Sequence, residues 1–241
     1  MGLSQVAIAL LVAFISSLIQ SSCGFGYGIV SVAVLPFVLP YPQAVALSSI
    51  GSGIMSAIVA IRNHRKLRFD VLWPCTLTSS VIVVAAVIFS VGKSNVVLTR
   101  VLGALLILLS LYFFFFSEKV RVKPTMVNGL VIGFISGVGA GFFSIGGPPV
   151  VVFLLSALDN KEEYRSTIAV QFTCSAIIGT VTRLIKGIIT PQLLQTAAFS
   201  VIPIVLGIWA GGYFFRLMNE KTLRRVVYAF MAVSGVFMLF G

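Results

Sequence analysis

The chain has 241 residues, of which 59% are hydrophobic and 10% are charged. Soluble domains carry about 25% charged residues, so this composition, with a mean hydropathy of +1.10, excludes a soluble globular protein. The net charge of +11 could suit a nucleic-acid binder, but we expect no nucleic-acid partner. Lys and Arg cluster in short stretches between apolar segments, which is typical of the loops that orient a membrane protein.

Long uncharged runs indicate membrane-spanning helices. No Asp, Glu, Lys or Arg occurs between Met1 and Ile61, and other uncharged runs cover 124–158 and 187–215. A spanning helix needs roughly 20 apolar residues, so these runs hold several helices. The first twenty residues lack the basic start of a signal peptide, and we expect residue 1 to belong to the mature protein.

The spacing predicts eight apolar segments in a single transmembrane domain over 1–241. They are A 3–40, B 43–62, C 71–91, D 96–116, E 126–158, F 165–186, G 191–215 and H 221–240. Segments A and E are interrupted, by "SSCGFGYG" (21–28) and "FFSIGGPP" (143–150). Proline kinks or stops a helix, and irregular backbone at membrane depth must be buried in protein or line a wet cavity. Both interruptions therefore indicate a functional site.

The order of the segments predicts an internal duplication, with repeat 1 over 1–117 and repeat 2 over 125–241. Three pairs of stretches match in this order: 23–37 with 141–155, 58–66 with 179–187, and 97–115 with 222–240. Their identity is low but their order is consistent. Chance similarity between apolar stretches is the alternative.

The distribution of Lys and Arg favours one of two topologies. If A and E each crossed the membrane once, the loops would hold 9 Lys and Arg on one side and 8 on the other. If A and E instead enter and return to the same side, the division becomes 13 against 4, and the minority is Lys93, Arg100, Arg183 and Lys186. Positive charge marks the cytoplasmic side, so the second arrangement is preferred.

We therefore predict an all-α polytopic membrane protein with two inverted four-segment repeats, each opening with a broken re-entrant helix hairpin. Inverted repeats with broken helices are a recurrent plan among transporters. The predicted cytoplasmic loops are 62–70, 117–125, 159–165 and 216–225, and both termini are predicted to be external.

The two breaks are predicted to bind an anion. Each is followed by a new helix, whose first turn has unpaired N–H groups and the positive end of the helix dipole. Two such helix ends that face each other suit an anion. All six acidic residues lie outside the apolar segments, where carboxylates would mark a cation site. Close helix packing is the alternative use of the glycines.

The predicted anion site combines the breaks with polar residues of B and F, because hydroxyl and amide groups can donate to oxygen atoms of an anion. Its members are Ser22, Gly24, Gly26, Tyr27, Gly28, Ser49, Ser52, Ser144, Ile145, Gly146, Gly147, Gln171, Thr173 and Arg183. We expect Arg183 and Lys186 to attract anions at an external mouth, although cations at a helix end also extend to the membrane interface.

The motifs "QSSCGFGYGIVSVAVLPF" (20–37) and "GFISGVGAGFFSIGGPPVVVFLL" (133–155) resemble those of the TauE/SafE sulfite exporter family, also called toluene sulfonate uptake permeases. The resemblance covers essentially the whole chain. It implies a carrier of sulfite, sulfoacetate or related sulfonates, mostly outward across the bacterial inner membrane. Many members have "GGG" where this chain has "GFGYG", and we expect the larger Tyr27 to alter the pocket.

We therefore expect a secondary transporter of the inner membrane that exports a small organic or sulfur-containing anion by alternating access. Its partners would be the anion and membrane lipids, with no metal, no cofactor and no enzymatic activity; the sequence leaves homodimer formation open. Two alternatives remain. One is an anion channel, and the other is a membrane thiol oxidoreductase that uses Cys23 and Cys174, against which the absence of a CxxC motif argues.

Overall fold

A computed structural model describes residues 2–63, 66–116, 122–217 and 220–240. Over these residues the chain forms eleven α-helices, one 3₁₀ turn and no strand. The helices are α1 Leu3–Cys23, α2 Tyr27–Val34 (followed by the 3₁₀ turn Leu35–Phe37), α3 Tyr41–Asn63, α4 Phe69–Ser90, α5 Asn95–Phe116, α6 Met126–Phe143, α7 Gly147–Ala157, α8 Lys161–Ile185, α9 Pro191–Phe199, α10 Val201–Leu217 and α11 Glu220–Phe240.

Seven of the helical stretches are long and apolar enough to cross a membrane. They are provided by α1, α3, α4, α5, α6, α8 and the consecutive pair α9 and α10. Shorter apolar helices lie in α2 with its 3₁₀ turn, in α7 and in α11. The prediction of an all-helical protein with several membrane spans is therefore confirmed.

Segments A and E are broken at the predicted positions. After α1, Gly24 has a left-handed backbone with φ of 83°, and its N–H donates to the carbonyl of Gln20 at 2.8 Å. Gly26, with φ of 120°, precedes α2. After α6, Ser144 takes the same left-handed role with φ of 59°. A left-handed residue at this position satisfies the last carbonyls of a helix, so both breaks begin with a regular helix end.

Each broken helix folds back on itself. Near the start of α1, Gln5 donates its Nε2 to the carbonyl of Val38, just after the 3₁₀ turn, at 2.8 Å. Before α6, the N–H of Val122 donates to Oγ of Ser156 near the end of α7, at 3.0 Å. Each pair therefore begins and ends at the same end of the bundle, as a hairpin does.

Ion pairs join the loop before α4 to the start of α8. Lys66 pairs with Glu162, and Nη1 of Arg68 lies 3.3 Å from a carboxylate oxygen of Glu163. The hydrogen bond to Glu162, reinforced by its charge, raises the pKa of Lys66. Exposed pairs add little stability, but they place these two loops at one end of the molecule. Single crossings at A and E would place them at opposite ends. Residues 117–121 of the predicted loop at 117–125, and 218–219 of the one at 216–225, lie outside the described residues.

Two helix ends differ from the predicted segments. Segment F was predicted to begin at 165, but α8 begins at Lys161, because the side chain of Asn160 accepts the N–H of Glu162 at 2.8 Å and caps the helix. Segment G is divided between α9 and α10. Pro203 has no N–H to donate to the carbonyl of Phe199 four residues earlier, which explains the division there.

The most extensive helix interfaces join α4 to α6, α1 to α10, α5 to α11 and α3 to α8. Glycines allow at least three of these pairs to approach closely. A Cβ atom on Gly133 of α6 would lie 2.5 Å from the carbonyl oxygen of Cys75 in α4, and one on Gly211 of α10 would lie 2.5 Å from that of Leu18 in α1. Small residues are favoured between membrane helices because lipid provides no hydrophobic drive for association.

We predict that Gly133→Ala destabilises the protein by about 1–3 kcal/mol, as overpacking does, because the backbone of Cys75 cannot rotate away. Gly212→Ala is the matched control, since a Cβ there meets no described atom within 4 Å. Thermal unfolding in detergent measures both variants. Equal melting temperatures for the two would contradict the close α4–α6 contact.

Candidate functional site

The two breaks meet at one cavity between the first and second halves of the chain. It contains about 50 Å³ of space open to the centres of water-sized spheres. One water needs about 10–15 Å³ on this measure, so the cavity has room for a few waters or one compact ion. Eight of the fourteen predicted site residues line it: Gly26, Gly28, Ser49, Ser52, Ser144, Ile145, Gly146 and Gly147.

The breaks are in direct contact inside this cavity. A Cβ atom on Gly28 would lie 2.0 Å from the carbonyl oxygen of Ser144, so only glycine allows the first break to approach the second this closely. Gly28 and Gly147 both lie in the first turn of their helices. Neither backbone N–H donates to an acceptor within the part of the chain that the structure describes. The N–H of Tyr27 is instead used by Oε1 of Gln20, at 3.0 Å.

Serine hydroxyls supply most of the other polar groups of the lining. Ser49, Ser52 and Ser144 were predicted, and the structure adds Ser136 and Ser175. Oγ of Ser136 donates to the carbonyl of Gly146 at 2.7 Å and so holds the second break against α6. None of the described lining residues carries a charge, so the cavity presents dipoles and hydroxyl groups.

Sequence reasoning did not place Ser136, Ser175 or the two rings of Phe25 and Phe172 in the site. Ser175 lies one helical turn after Gln171, on the same face of α8, but this spacing does not mark it for the cavity, because Gln171 itself bonds to α4 and does not line the cavity. Ser136 lies ten residues before Gly146, the residue of the break that it contacts, and no local pattern in the sequence points to it.

Arg183 places a buried positive charge behind the lining. Its side chain is almost fully buried, with the residue 3% exposed. Nη1 lies 3.4 Å from Oγ of Ser49, which lines the cavity, and Nη2 donates to the carbonyl of Gly141 at 2.6 Å. Gly141 lies in the last turn of α6, where the helix dipole is negative. Among the described residues no carboxylate pairs with this guanidinium, so no described acid compensates its charge.

Gln171 and Thr173 bond elsewhere in the protein. Nε2 of Gln171 donates to Oγ of Ser79 at 2.8 Å, and its Oε1 accepts from the hydroxyl of Thr76, so Gln171 joins α8 to α4. The hydroxyl of Thr173 donates to the carbonyl of Ala169 at 2.7 Å, within its own helix. Neither residue lines the cavity.

The remaining predicted residues of the first break also lie outside the cavity. Ser22 donates to the carbonyl of Gly211 at 3.1 Å and joins α1 to α10. Gly24 faces the ring of Tyr164. The ring of Tyr27 is buried against α1, α3 and α10, and only its backbone borders the break. Its size therefore fills space between helices and not the cavity.

The described residues contain no cysteine cluster of the kind that the alternative function, a thiol oxidoreductase, requires. Cys75 and Cys174 are both free thiols, and neither lines the cavity. The side chain of Cys23 lies outside what the structure describes. Among the described residues there is also no group of three His, Cys, Asp or Glu that could hold a metal ion.

Comparison with known proteins identifies the family. The model of the family described as Sulfite exporter TauE/SafE matches residues 9–238. This chain belongs to the TauE/SafE family. A probable membrane transporter protein of Methanocaldococcus jannaschii is 22% identical to it, over 96% of this chain and 94% of that protein. No solved structure matches. This TauE/SafE protein is therefore a multi-pass membrane transporter.

We predict that Gly28→Ala separates the two breaks, because its Cβ would meet the Ser144 carbonyl. Hydrogen exchange measured by mass spectrometry should show faster exchange of the backbone amides in both breaks, with a lower melting temperature. Gly147→Ala is the matched control, because its nearest atom is the ring of Phe172 at 3.3 Å, and a ring can tilt. Unchanged exchange in Gly28→Ala would show that the breaks do not depend on this contact.

Proposed function

We propose that this TauE/SafE protein is a secondary transporter that exports a compact sulfur-containing or organic anion and binds it between the two breaks. One observation carries the proposal: both breaks contact each other at a single cavity, which is lined by hydroxyl groups and helix first turns and by no carboxylate among the described residues. Of the fourteen site residues predicted from the sequence, eight line this cavity. We assign these eight to direct contact with the anion.

The electrostatics of the cavity favour an anion over a cation. The first turns of α2 and α7 both open onto it, with the N–H groups of Gly28 and Gly147 available, and helix N-termini stabilise negative charge. The guanidinium of Arg183 lies behind Ser49 and adds a full positive charge in a low-dielectric setting. A cation in this cavity would face like charge, with no acid among the described lining residues to pair with.

The size of the cavity favours a compact anion. Space for a few waters accommodates an ion such as sulfite, whose three oxygen atoms can each accept hydrogen bonds from N–H and hydroxyl donors. A bulky aromatic sulfonate would need a larger space than this conformation offers. Sulfite and the smallest sulfonates are therefore the leading substrate class.

The helix directions support two inverted repeats. Gly53 of α3 faces Ala176 of α8 at the same interface where Ser49 contacts Arg183. The residue numbers rise along one helix as they fall along the other, so these helices run antiparallel. α5 and α11 are antiparallel as well, because Gly103 faces Gly235 and Ser110 bonds Tyr228. Corresponding helices in inverted repeats must run in opposite directions.

We infer that alternating access arises when the two hairpins move against the surrounding helices. The orientation follows the positive-inside rule, with loops 62–70, 117–125, 159–165 and 216–225 in the cytoplasm and both termini outside the inner membrane. The membrane potential favours anion exit by about 2.3 kcal/mol per charge per 100 mV, so export needs no coupling ion.

We predict that Ser52→Ala weakens sulfite binding roughly tenfold, as loss of one hydrogen bond to a charged group does. Ser22→Ala is the matched control, because its hydroxyl bonds helix backbone outside the cavity. Isothermal titration of the purified protein with sulfite, sulfoacetate, taurine, sulfate and chloride gives the dissociation constants.

Equal losses in both serine variants would exclude the cavity as the binding site. If no anion of the panel binds the wild-type protein, the proposed anion transport fails. Flux in proteoliposomes separates the two transport modes. Countertransport stimulated by sulfite on the opposite side indicates a carrier, and much faster flux without countertransport indicates a channel.

A further inference from the structure

A second and larger cavity lies beside the central one. It contains about 280 Å³ of space open to the centres of water-sized spheres, compared with about 50 Å³ in the central cavity. Its lining combines the start of α3 at Tyr41, the turn between α4 and α5 at Lys93, and the ends of α6 and α8 at Phe142 and Arg183. None of these residues except Arg183 was expected to take part in anion handling.

The charged residues in the lining of this second cavity are both cations. Lys93 and Arg183 line it, and no described lining residue is acidic. The ammonium of Lys93 lies 4.6 Å from the centre of the Phe89 ring, which holds it by a cation–π contact. The hydroxyl of Tyr41 already donates to the carbonyl of Phe142 at 2.8 Å, which leaves Lys93 and Arg183 as the charged donors of the described lining.

Arg183 lines the second cavity and lies directly behind the lining of the central one, where it contacts Ser49. A guanidinium has five N–H donors, and the described residues provide it with three acceptors: Oγ of Ser49 and the carbonyls of Ala140 and Gly141. Two donors of this almost fully buried side chain therefore have no acceptor among the described residues. Ser49 faces the central cavity and Gly141 faces the second one, so the guanidinium stands between them.

On α6 and α3, residues close together in the chain line the two different cavities, so little protein separates these cavities. Ala140 lines the central cavity and the next residue, Gly141, lines the second. On α3, Ser49 lines the central cavity and Val45, one turn earlier, lines the second. An anion that leaves the central site past Arg183 would enter the second cavity directly.

We propose that the second cavity is an anion vestibule, and that Arg183 transfers the anion between the vestibule and the central site. This inference rests on the proposed function and adds a second subsite to it. The vestibule has room for an oxyanion with part of its water shell, whereas the central cavity holds a few waters at most. Removing water from an ion is costly unless protein groups replace it, and the two unpaired donors of Arg183 lie where this exchange takes place.

The vestibule changes which surface charge matters for transport. Lys93 shares it with Arg183, whereas Lys186, three residues after Arg183 and exposed, does not line it. Lys93→Gln and Lys186→Gln remove the same charge at the same end of the molecule. Charge that acts over distance is screened by salt, with a Debye length of about 30 Å at 0.01 M and about 3 Å at 1 M.

The test compares sulfite transport by the full chain in right-side-out and inside-out membrane vesicles, with gluconate salts setting the ionic strength. At low salt, we expect Lys93→Gln to raise the KM for entry from the vestibule side about threefold or more, with an unchanged maximal rate and no change from the opposite side. The KM difference should shrink at high salt. Lys186→Gln should raise the KM clearly less than Lys93→Gln does, because Lys186 does not line the vestibule, and the dissociation constant from titration should change little.

The possible outcomes separate the vestibule from the central site. If Lys93→Gln and Lys186→Gln behave alike while Ser52→Ala still weakens binding, the vestibule is wrong and the central site stands. If the wild-type protein neither binds nor carries any anion, the proposed function itself fails.

A third variant, Arg183→Lys, keeps the charge but loses the planar set of N–H donors. It should lower the maximal rate more than the affinity, and unchanged rates would overturn the transfer role of Arg183.

Discussion

The contact between Gly28 and the carbonyl of Ser144 is the constraint on which the site depends. It joins the two broken helices, which come from opposite halves of the chain. Because no side chain separates the backbones, the first turns of α2 and α7 open onto one shared cavity. Without this approach each break would need its own partner for its unpaired N–H groups, since lipid offers none.

The helices around this contact provide hydrogen-bond partners for one another's buried polar groups. Gln171 joins α8 to α4 through Thr76 and Ser79, and the glycines of α6 let that helix approach α4 closely enough to support the second hairpin. Arg183 donates to the carbonyls of Ala140 and Gly141 in the last turn of α6. The same guanidinium lies beside both cavities. This one buried charge therefore hydrogen-bonds the C-terminal end of a helix and also contributes to the electrostatic potential that an anion would meet.

The family, the breaks and most helices could be predicted from the sequence. Composition and uncharged runs indicate the membrane helices, and glycine and proline mark the breaks, because these signals are local. Two helix boundaries differ from the prediction, and local features of the sequence explain both differences. The charges after Asn160 resemble a loop, yet they form the first turn of a capped helix, and Pro203 divides segment G inside an apolar run.

The sequence by itself determined that the chain is helical, lies in a membrane and has two broken segments, because hydrophobicity, proline and glycine act over a few residues. Only the tertiary structure decided which polar residues share the cavity. The sequence does not distinguish Ser22 and Gln171 from Ser52 as site residues. In the structure, however, Ser22 hydrogen-bonds to α10 and Gln171 hydrogen-bonds to α4. Ser136, Ser175 and Lys93 enter the two cavities only because helices distant in sequence pack together. Partners of this kind depend on three-dimensional approach, which no local pattern encodes.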